Sequence, residues 1–493
     1  MTGIAGPGEP REFRKALGLF DSIMIVAGIM VGSGIFIVSA EISRQVGSAG
    51  WLLTVWIVTG VLTVAGALSY GELAAMMPQA GGMYVYLREA FSPLWGFLYG
   101  WTLLTVIQTG TIAAVAIAFA RFSGVAFPWI GEAHYLIAPV ALLPGYAISL
   151  STAQALAILV IVAICTINQY GVRWGKLVQN VFTVAKLAGM VALLVLGGVA
   201  FLLHPEIWRA NFSNAWQPKH VVAIGGVSAI TAAGMFVAVC VSQTGSLFSA
   251  DSWHDITFVA GEVRNPQRNL PLALGLGTGL VIVLYLLCNL CYLAVLPFGS
   301  IQAAPGDRVA TLAVETVLHV GGRLAMAMLI MVSTFGTVNA LTLAGARACY
   351  AMAQDGLFFR QAGTLNRYSV PGWSLTLQCA WSVLLVLPRT YDASAGRYGN
   401  LYSNLLDYVI SAALLFYILT VAGLFRLRQT QPNAPRPYRA WGYPWLPALY
   451  ILGAAAVLGV LFCFRTATTW PGLIIIASGV PFYFVARGRR HSI

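Results

Sequence analysis

Apolar stretches of membrane-crossing length recur along almost the whole of this 493-residue chain. A hydrocarbon core of ~30 Å needs about 20 apolar residues per helical crossing, and the recurrences leave no gap wide enough for a soluble domain. Residues are 59% hydrophobic and only 9% charged, and the mean hydropathy is +0.79, far from the composition of a soluble domain. Backbone groups facing lipid find no water, so each crossing has to satisfy its own hydrogen bonds as a helix. The chain therefore reads as one all-α polytopic membrane protein whose first partner is the lipid bilayer.

Twelve spans are predicted, at 17–41, 50–77, 93–121, 153–170, 178–203, 222–262 (interrupted), 270–296, 321–353, 372–388, 402–425, 444–465 and 468–486. With the N-terminus placed in the cytoplasm, eighteen of the 28 Lys and Arg fall inside, nine outside, and Lys186 is left within a span. The positive-inside rule then puts both termini of a cell-membrane protein in the cytoplasm. The net charge of +12 is thus topology, and no nucleic-acid partner is expected. The opening MTGIAGPGEPREFRKALGLF is polar and basic rather than a cleavable signal, which predicts a cytoplasmic segment at 1–16 and a cytoplasmic tail at 487–493.

Seven cysteines lie in apolar stretches without metal-ligand spacing, so neither a disulfide nor a metal site is expected. The six histidines are scattered, and neither HExxH nor GxSxG stands out. Nothing suggests an enzyme or a cofactor. A channel would line its pore with repeated polar rings or filter loops, whereas the polar features here converge on one level of the membrane.

Two of the spans are damaged. GIMVGSGIFIVSAEI, from Gly28, puts Gly32-Ser33-Gly34 inside the first, and SLFSADSWHD, from Ser246 to Asp255, interrupts the sixth. Each glycine weakens a helix interior by about 0.8–1.0 kcal/mol relative to alanine, and lipid offers nothing to the freed amides and carbonyls. Gly-Ser-Gly by itself equally suits close helix packing. The paired interruption decides for a binding site: units at 17–203 and 222–425, each of five spans, would be inverted relative to one another, followed by two more spans at 444–486. Breaks at matching places in two such halves are the best sequence pointer to a transporter's centre. A half-helix that resumes offers bare N–H groups and one that stops offers bare carbonyls, so a free amino acid, with its carboxylate and ammonium, satisfies both.

Other polar residues sit in apolar surroundings. Lys186 lies about eight residues, or ~12 Å, from the nearest polar end, too deep to snorkel, and an intramembrane ion of this kind is a functional candidate. Ser333, Gly336 and Asn339 share one side of the eighth span, facing either a cavity or a neighbouring helix. Asp407, with Tyr408 beside it, either lines a distal pocket or gate or sits in water at the outer mouth. Gln108, Thr109 and Asn289 are weaker pocket candidates, since such residues commonly bond a neighbouring helix. The charges of GEVRNPQRNLP, Gly261 to Pro271, suit either a closing gate or a solvated loop.

GIMVGSGIF, FSADSWHDITFVAGEVRNPQRNLP and STFGTVNALTLAGARACYAMAQDGLF together resemble the L-type amino-acid transporter family of the amino acid, polyamine and organocation superfamily, over about 12–465. The resemblance implies a LeuT-type 5+5 inverted repeat with two extra C-terminal helices, alternating access, and transport of neutral, above all large neutral, L-amino acids. Small neutral or cationic substrates, with or without a proton, are the alternatives. It implies that the substrate carboxylate meets the amides of Ser33 and Gly34, with Gly32 allowing close approach. The ammonium would meet carbonyls of Met30, Phe248, Ser249 and Asp251. Phe248 falls at the family's aromatic gate, and Trp253 closes the same motif. Lys186 stands where sodium-coupled relatives hold their ion, which implies sodium independence, with Lys186 either simply replacing that ion or also taking part in coupling by releasing a proton. Phe-Ser-Ala-Asp-Ser-Trp departs from the family's Phe-Ala-Tyr-(Asp/Gly)-Gly-Trp; Asp251 either recognises an ammonium or caps the resumed helix. The cysteine that joins animal relatives to an accessory heavy subunit is missing from the loop after the third span, so no such subunit is expected.

Overall fold

The computed structural model describes residues 15–488, apart from 16, 80, 144, 171, 369, 393–396 and 399–400. The predicted segment 1–16 and tail 487–493 therefore lie almost wholly outside the described residues.

Helix dominates. The first span is split into α1 (Leu19–Met30) and α2 (Gly34–Val46), followed by α3 (Ala49–Met76) and a short α4 (Met83–Ala90). Next come α5 (Pro93–Thr102) and α6 (Gln108–Ala126), continuous through one π turn, Leu103–Ile107, where the Thr109 hydroxyl bonds back to the Leu104 carbonyl, 2.7 Å away. After α7 (Thr152–Gln169), α8 (Val172–Leu203) and α9 (Pro205–Ser213) the sixth span opens with α10 (Ala232–Ser249) and resumes as a 3-10 turn, Trp253–Glu262. The remainder comprises α11 (Pro266–Val295), α12 (Phe298–Gln302), α13 (Val309–Gln354), α14 (Gly372–Val386), α15 (Leu401–Thr430), α16 (Trp445–Phe464) and α17 (Thr466–Gly488).

Among the described residues ten helices are long and apolar enough to cross a membrane, and α1 with α2 make an eleventh, bent by 46°. The expected count of twelve is not met on length, because α14 has only 15 residues, short of the roughly 20 a perpendicular crossing requires. The sixth span also starts later than predicted. Gly225 and Gly226 take positive φ, 56° and 81°, turning the chain before Thr231 caps α10 by accepting from the Gly234 amide at 3.0 Å. The eighth span is longer than predicted, with a break at His319, φ 55°.

One region is not helical. The loop after α6 holds β1 (Tyr135–Leu143) and β2 (Tyr146–Ser151), and the loop after α14 adds β3 (Pro388–Asp392) and β4 (Arg397–Tyr398), giving a four-stranded antiparallel sheet in the order β1-β2-β3-β4. It lies at the same end of the bundle as a set of ion pairs: Arg121 with Glu132 (2.7 Å) and Asp307 (3.4 Å), and Arg44 with Asp307 (2.7 Å). At the opposite end the backbone of Leu17 pairs with Glu262 and Arg264, Arg347 meets Glu262 at 3.2 Å, and Glu72 is held by Arg428 and Arg436.

Candidate functional site

At the first break Val31 leaves helical geometry (φ −72°, ψ 86°) and α2 resumes after Ser33. The last carbonyls of α1 and the first amides of α2 lack intrahelical partners there. Lys186, fully buried on α8, takes the carbonyl side. Its ammonium donates to the carbonyls of Gly28 (2.6 Å) and Val31 (3.0 Å) and to the Thr337 hydroxyl (3.1 Å), which engages all three of its protons. One side chain thus joins α8, the broken span and α13.

At the second break the interruption narrows to Ala250-Asp251-Ser252, with Ser252 left-handed at φ 64°. The two breaks touch. A Cβ on Gly34 would sit 2.0 Å from Ser249 Oγ and 2.9 Å from Ser249 Cα, whereas one on Gly32 would meet nothing nearer than 3.6 Å. Close packing is thus the requirement at Gly34, while Gly32 and its neighbours carry the interruption. Tyr285 of α11 spans the junction, its hydroxyl 2.8 Å from the Met30 carbonyl and 2.9 Å from that of Ser249. A hydroxyl has one proton to give, so it serves only one of these carbonyls at a time.

Aromatic side chains surround the junction. Ser33 Oγ lies 2.9 Å from the Tyr402 hydroxyl, and the Phe248 ring stands nearly perpendicular to that of Tyr402 at 6.1 Å. Trp253 packs edge-on against Tyr70 at 4.8 Å. Asp251 is buried and accepts from the Tyr417 hydroxyl.

The remaining sequence candidates are placed less centrally. Gln108 donates to the Leu341 carbonyl (2.6 Å), tying α6 to α13. Asn339 accepts from Asn168 at 3.0 Å. Asn289 accepts from Ser39 at 2.7 Å, tying α11 to α2. Ser333 is buried, and its carbonyl accepts from Thr337. Asp407 is buried and accepts from Thr468 at 3.2 Å, so it is not in open water. Tyr408 lines a separate, mostly apolar cavity with Val106, Tyr146, Arg389 and Asn404, and no residue of either break reaches that cavity. Among the described residues no His, Cys, Asp and Glu group is fit to hold a metal.

Sequence reasoning missed Tyr285, Thr337, Tyr402 and Tyr417. Tyr285, Asn289 and Tyr292 do recur at helical spacing in α11, and Tyr292 donates to the Ile35 carbonyl at 3.2 Å, so that polar stripe was a readable signal. Tyr402 and Tyr417 had none, because their partners Ser33 and Asp251 lie 369 and 166 residues away in sequence.

Two interrupted helices that meet, each leaving main-chain amides or carbonyls without intrahelical partners, are the kind of arrangement that membrane transporters place at their centre. The amino acid permease family matches residues 17–485, and the chain belongs to it. The b(0,+)-type amino acid transporter 1 of Mus musculus is 29% identical over 96% of this chain and 88% of its own length. The human large neutral amino acids transporter small subunit 2 is also 29% identical, over 98% and 82%. The serine/threonine exchanger SteT of Bacillus subtilis is 25% identical over 98% and 99%. These relatives are transporters, in keeping with an amino-acid transporter rather than an enzyme. One of them is named as a subunit, so the expectation that this chain works without an accessory subunit draws no support from it.

Proposed function

We propose that the chain is a sodium-independent carrier of neutral, chiefly large neutral, L-amino acids across the cell membrane, working as an exchanger or facilitator by alternating access. The observation that carries this reading is the meeting of the two breaks, where Gly34 abuts Ser249 and the Tyr285 hydroxyl reaches a carbonyl from each broken helix. The amides of Ser33 and Gly34, at the positive end of α2, suit the substrate carboxylate. Its ammonium suits the carbonyls of Met30, Phe248, Ser249 and Asp251, offering donors where Tyr285 has one proton for two acceptors. Phe248 and Tyr402 form the cover, with Trp253 and Asp407 as flanking groups, while Tyr408 belongs to the separate cavity. A cation already rests on the carbonyls of Gly28 and Val31, which supports independence from sodium. In this reading the halves 17–203 and 222–425 form an inverted repeat, with α14 completing twelve crossings and both termini in the cytoplasm.

The test is counterflow. Liposomes holding the purified chain and one unlabelled amino acid should accumulate the labelled form equally in sodium and in choline buffer. A panel of the twenty amino acids should rank leucine-sized neutral substrates first. Accumulation that requires sodium would overturn the reading, and a ranking led by serine and threonine would move the substrate class to that in the name of the Bacillus relative. A second reading, a cationic substrate, is favoured by Asp251, a buried carboxylate paired with a neutral hydroxyl, and by the b(0,+)-type relatives. Preference for lysine or arginine in the panel would establish it.

A further inference from the structure

Beyond Asp251, the 3-10 turn carries titratable groups that main-chain recognition of an amino acid does not use. The Tyr417 hydroxyl donates to Asp251 Oδ1 and lies 3.3 Å from His254 Nδ1. His254 Nε2 in turn lies 3.5 Å from Asp255 Oδ1. Four groups thus form a continuous line with a carboxylate at each end. All are buried, Asp255 and His254 at 2% exposure each. Among the described residues Asp255 Oδ2 has no hydrogen-bond partner, and neither has the buried hydroxyl of Tyr99.

Among the described residues no Lys or Arg joins this cluster. The groups facing it from the surrounding helices are tyrosines: Tyr70 of α3 beside Trp253 and Tyr417, Tyr99 of α5, Tyr417 of α15 and Tyr450 of α16. Among the described residues neither Asp251 nor Asp255 pairs with Lys or Arg. Lys186 is occupied at the first break, and Glu262, at the end of the same turn, is paired with Arg347. Two ionised carboxylates buried without a cation are prohibitively costly, and such groups bind protons instead. Like charges sharing a site titrate as one unit. A metal ion does not fit, because Tyr417 and His254 stand between the two carboxylates and no metal-holding group is present among the described residues. A substrate cation resting on Asp251 would leave Asp255 unneutralised.

We propose that Asp251, Tyr417, His254 and Asp255 form a proton-binding relay that couples amino-acid movement to a proton gradient. Transfer along it is balanced. Protonated Asp255 gives its proton to His254 Nε2, His254 Nδ1–H gives its proton to the Tyr417 oxygen, and the Tyr417 hydroxyl proton passes to Asp251. One proton moves from Asp255 to Asp251, and His254 and Tyr417 end neutral as they began. Asp251 belongs to the unwound stretch, so its protonation state changes the charge beside the amino acid. That last link rests on the substrate position given under Proposed function.

The test reconstitutes the full chain in liposomes containing a pH-sensitive dye, with membrane voltage clamped at zero. Downhill movement of the preferred amino acid is expected to change the internal pH, and an imposed pH gradient to drive its accumulation. Asp255→Asn and, independently, His254→Gln are expected to lose both responses while retaining counterflow between equal pools. Counterflow by the unmodified chain with no pH change overturns the relay and leaves the carrier reading standing. Absence of counterflow for every amino acid overturns the carrier reading itself. A pH response that survives in either folded variant overturns the relay, and if melting curves show one variant unfolded, the other decides. Loss confined to substrates with a second ammonium, with the pH response intact, assigns the cluster to side-chain recognition and also overturns it.

Discussion

The two broken spans lie against each other yet are stabilised by opposite means. The first has its stray carbonyls held by a cation, Lys186, all of whose protons are engaged. In the sixth the break carries an acid, Asp251, which accepts from a neutral hydroxyl, and beyond it, among the described residues, Asp255 has an oxygen without a hydrogen-bond partner. An ion whose donors are all used fixes geometry; an acid without a counter-charge is able to accept one. On the proposed reading, the first break is the half already satisfied from within the protein and the sixth the half left for what enters.

Removing Lys186 should break the comparison most severely. Lys186→Met takes the ammonium from the buried carbonyls of Gly28 and Val31 and leaves only the Thr337 hydroxyl, 3.5 Å from Val31; at about 1–3 kcal/mol for an unsatisfied buried group, a large fall in melting temperature and loss of counterflow are expected. Lys186→Arg should fail too, since a planar fork does not reproduce three converging bonds from one nitrogen.

Glycine substitutions come next and separate packing from interruption. Gly34→Ala forces a methyl into Ser249, an overpacking cost of about 1–3 kcal/mol, and should abolish transport in protein that still folds. Gly32→Ala meets only ordinary contacts and should keep the melting temperature much closer to that of the unmodified chain. Equal losses from the two would show that the breaks do not meet as described.

Tyr285→Phe sharpens the contrast further, because it removes the donor shared by the halves. A loss of about 1–3 kcal/mol in stability is expected, read from thermal melts, together with an altered half-saturation concentration in uptake. The smallest effect belongs to Tyr402→Phe. It deletes one bond to Ser33, worth about 0.5–1.5 kcal/mol, and should speed substrate release in efflux assays with little change in melting temperature.

Both interruptions were legible in the sequence because lipid makes a weakened helix conspicuous: Gly32-Ser33-Gly34 and the polar run through Asp251 stand out in apolar surroundings for want of any water to excuse them. Lys186 was legible for the same reason. The exact edges were not. Gly225 and Gly226 delay α10, and His319 breaks α13, because local turns compete with hydropathy and leave little trace in it. The four-stranded sheet was also hidden, since its strands pair between loops more than two hundred residues apart.

Sequence alone determined that this chain lives in a membrane, that two of its helices are interrupted and that it carries one deep cation, because each of these follows from transfer free energies along a single strand of chain. Tertiary structure decided which groups answer which. It gave Tyr285 two carbonyls for one proton, set Tyr402 over Ser33, and lined up Asp251, Tyr417, His254 and Asp255. Hydrogen bonds act over about 3 Å, and only packing brings α11 and α15 within that distance of the breaks.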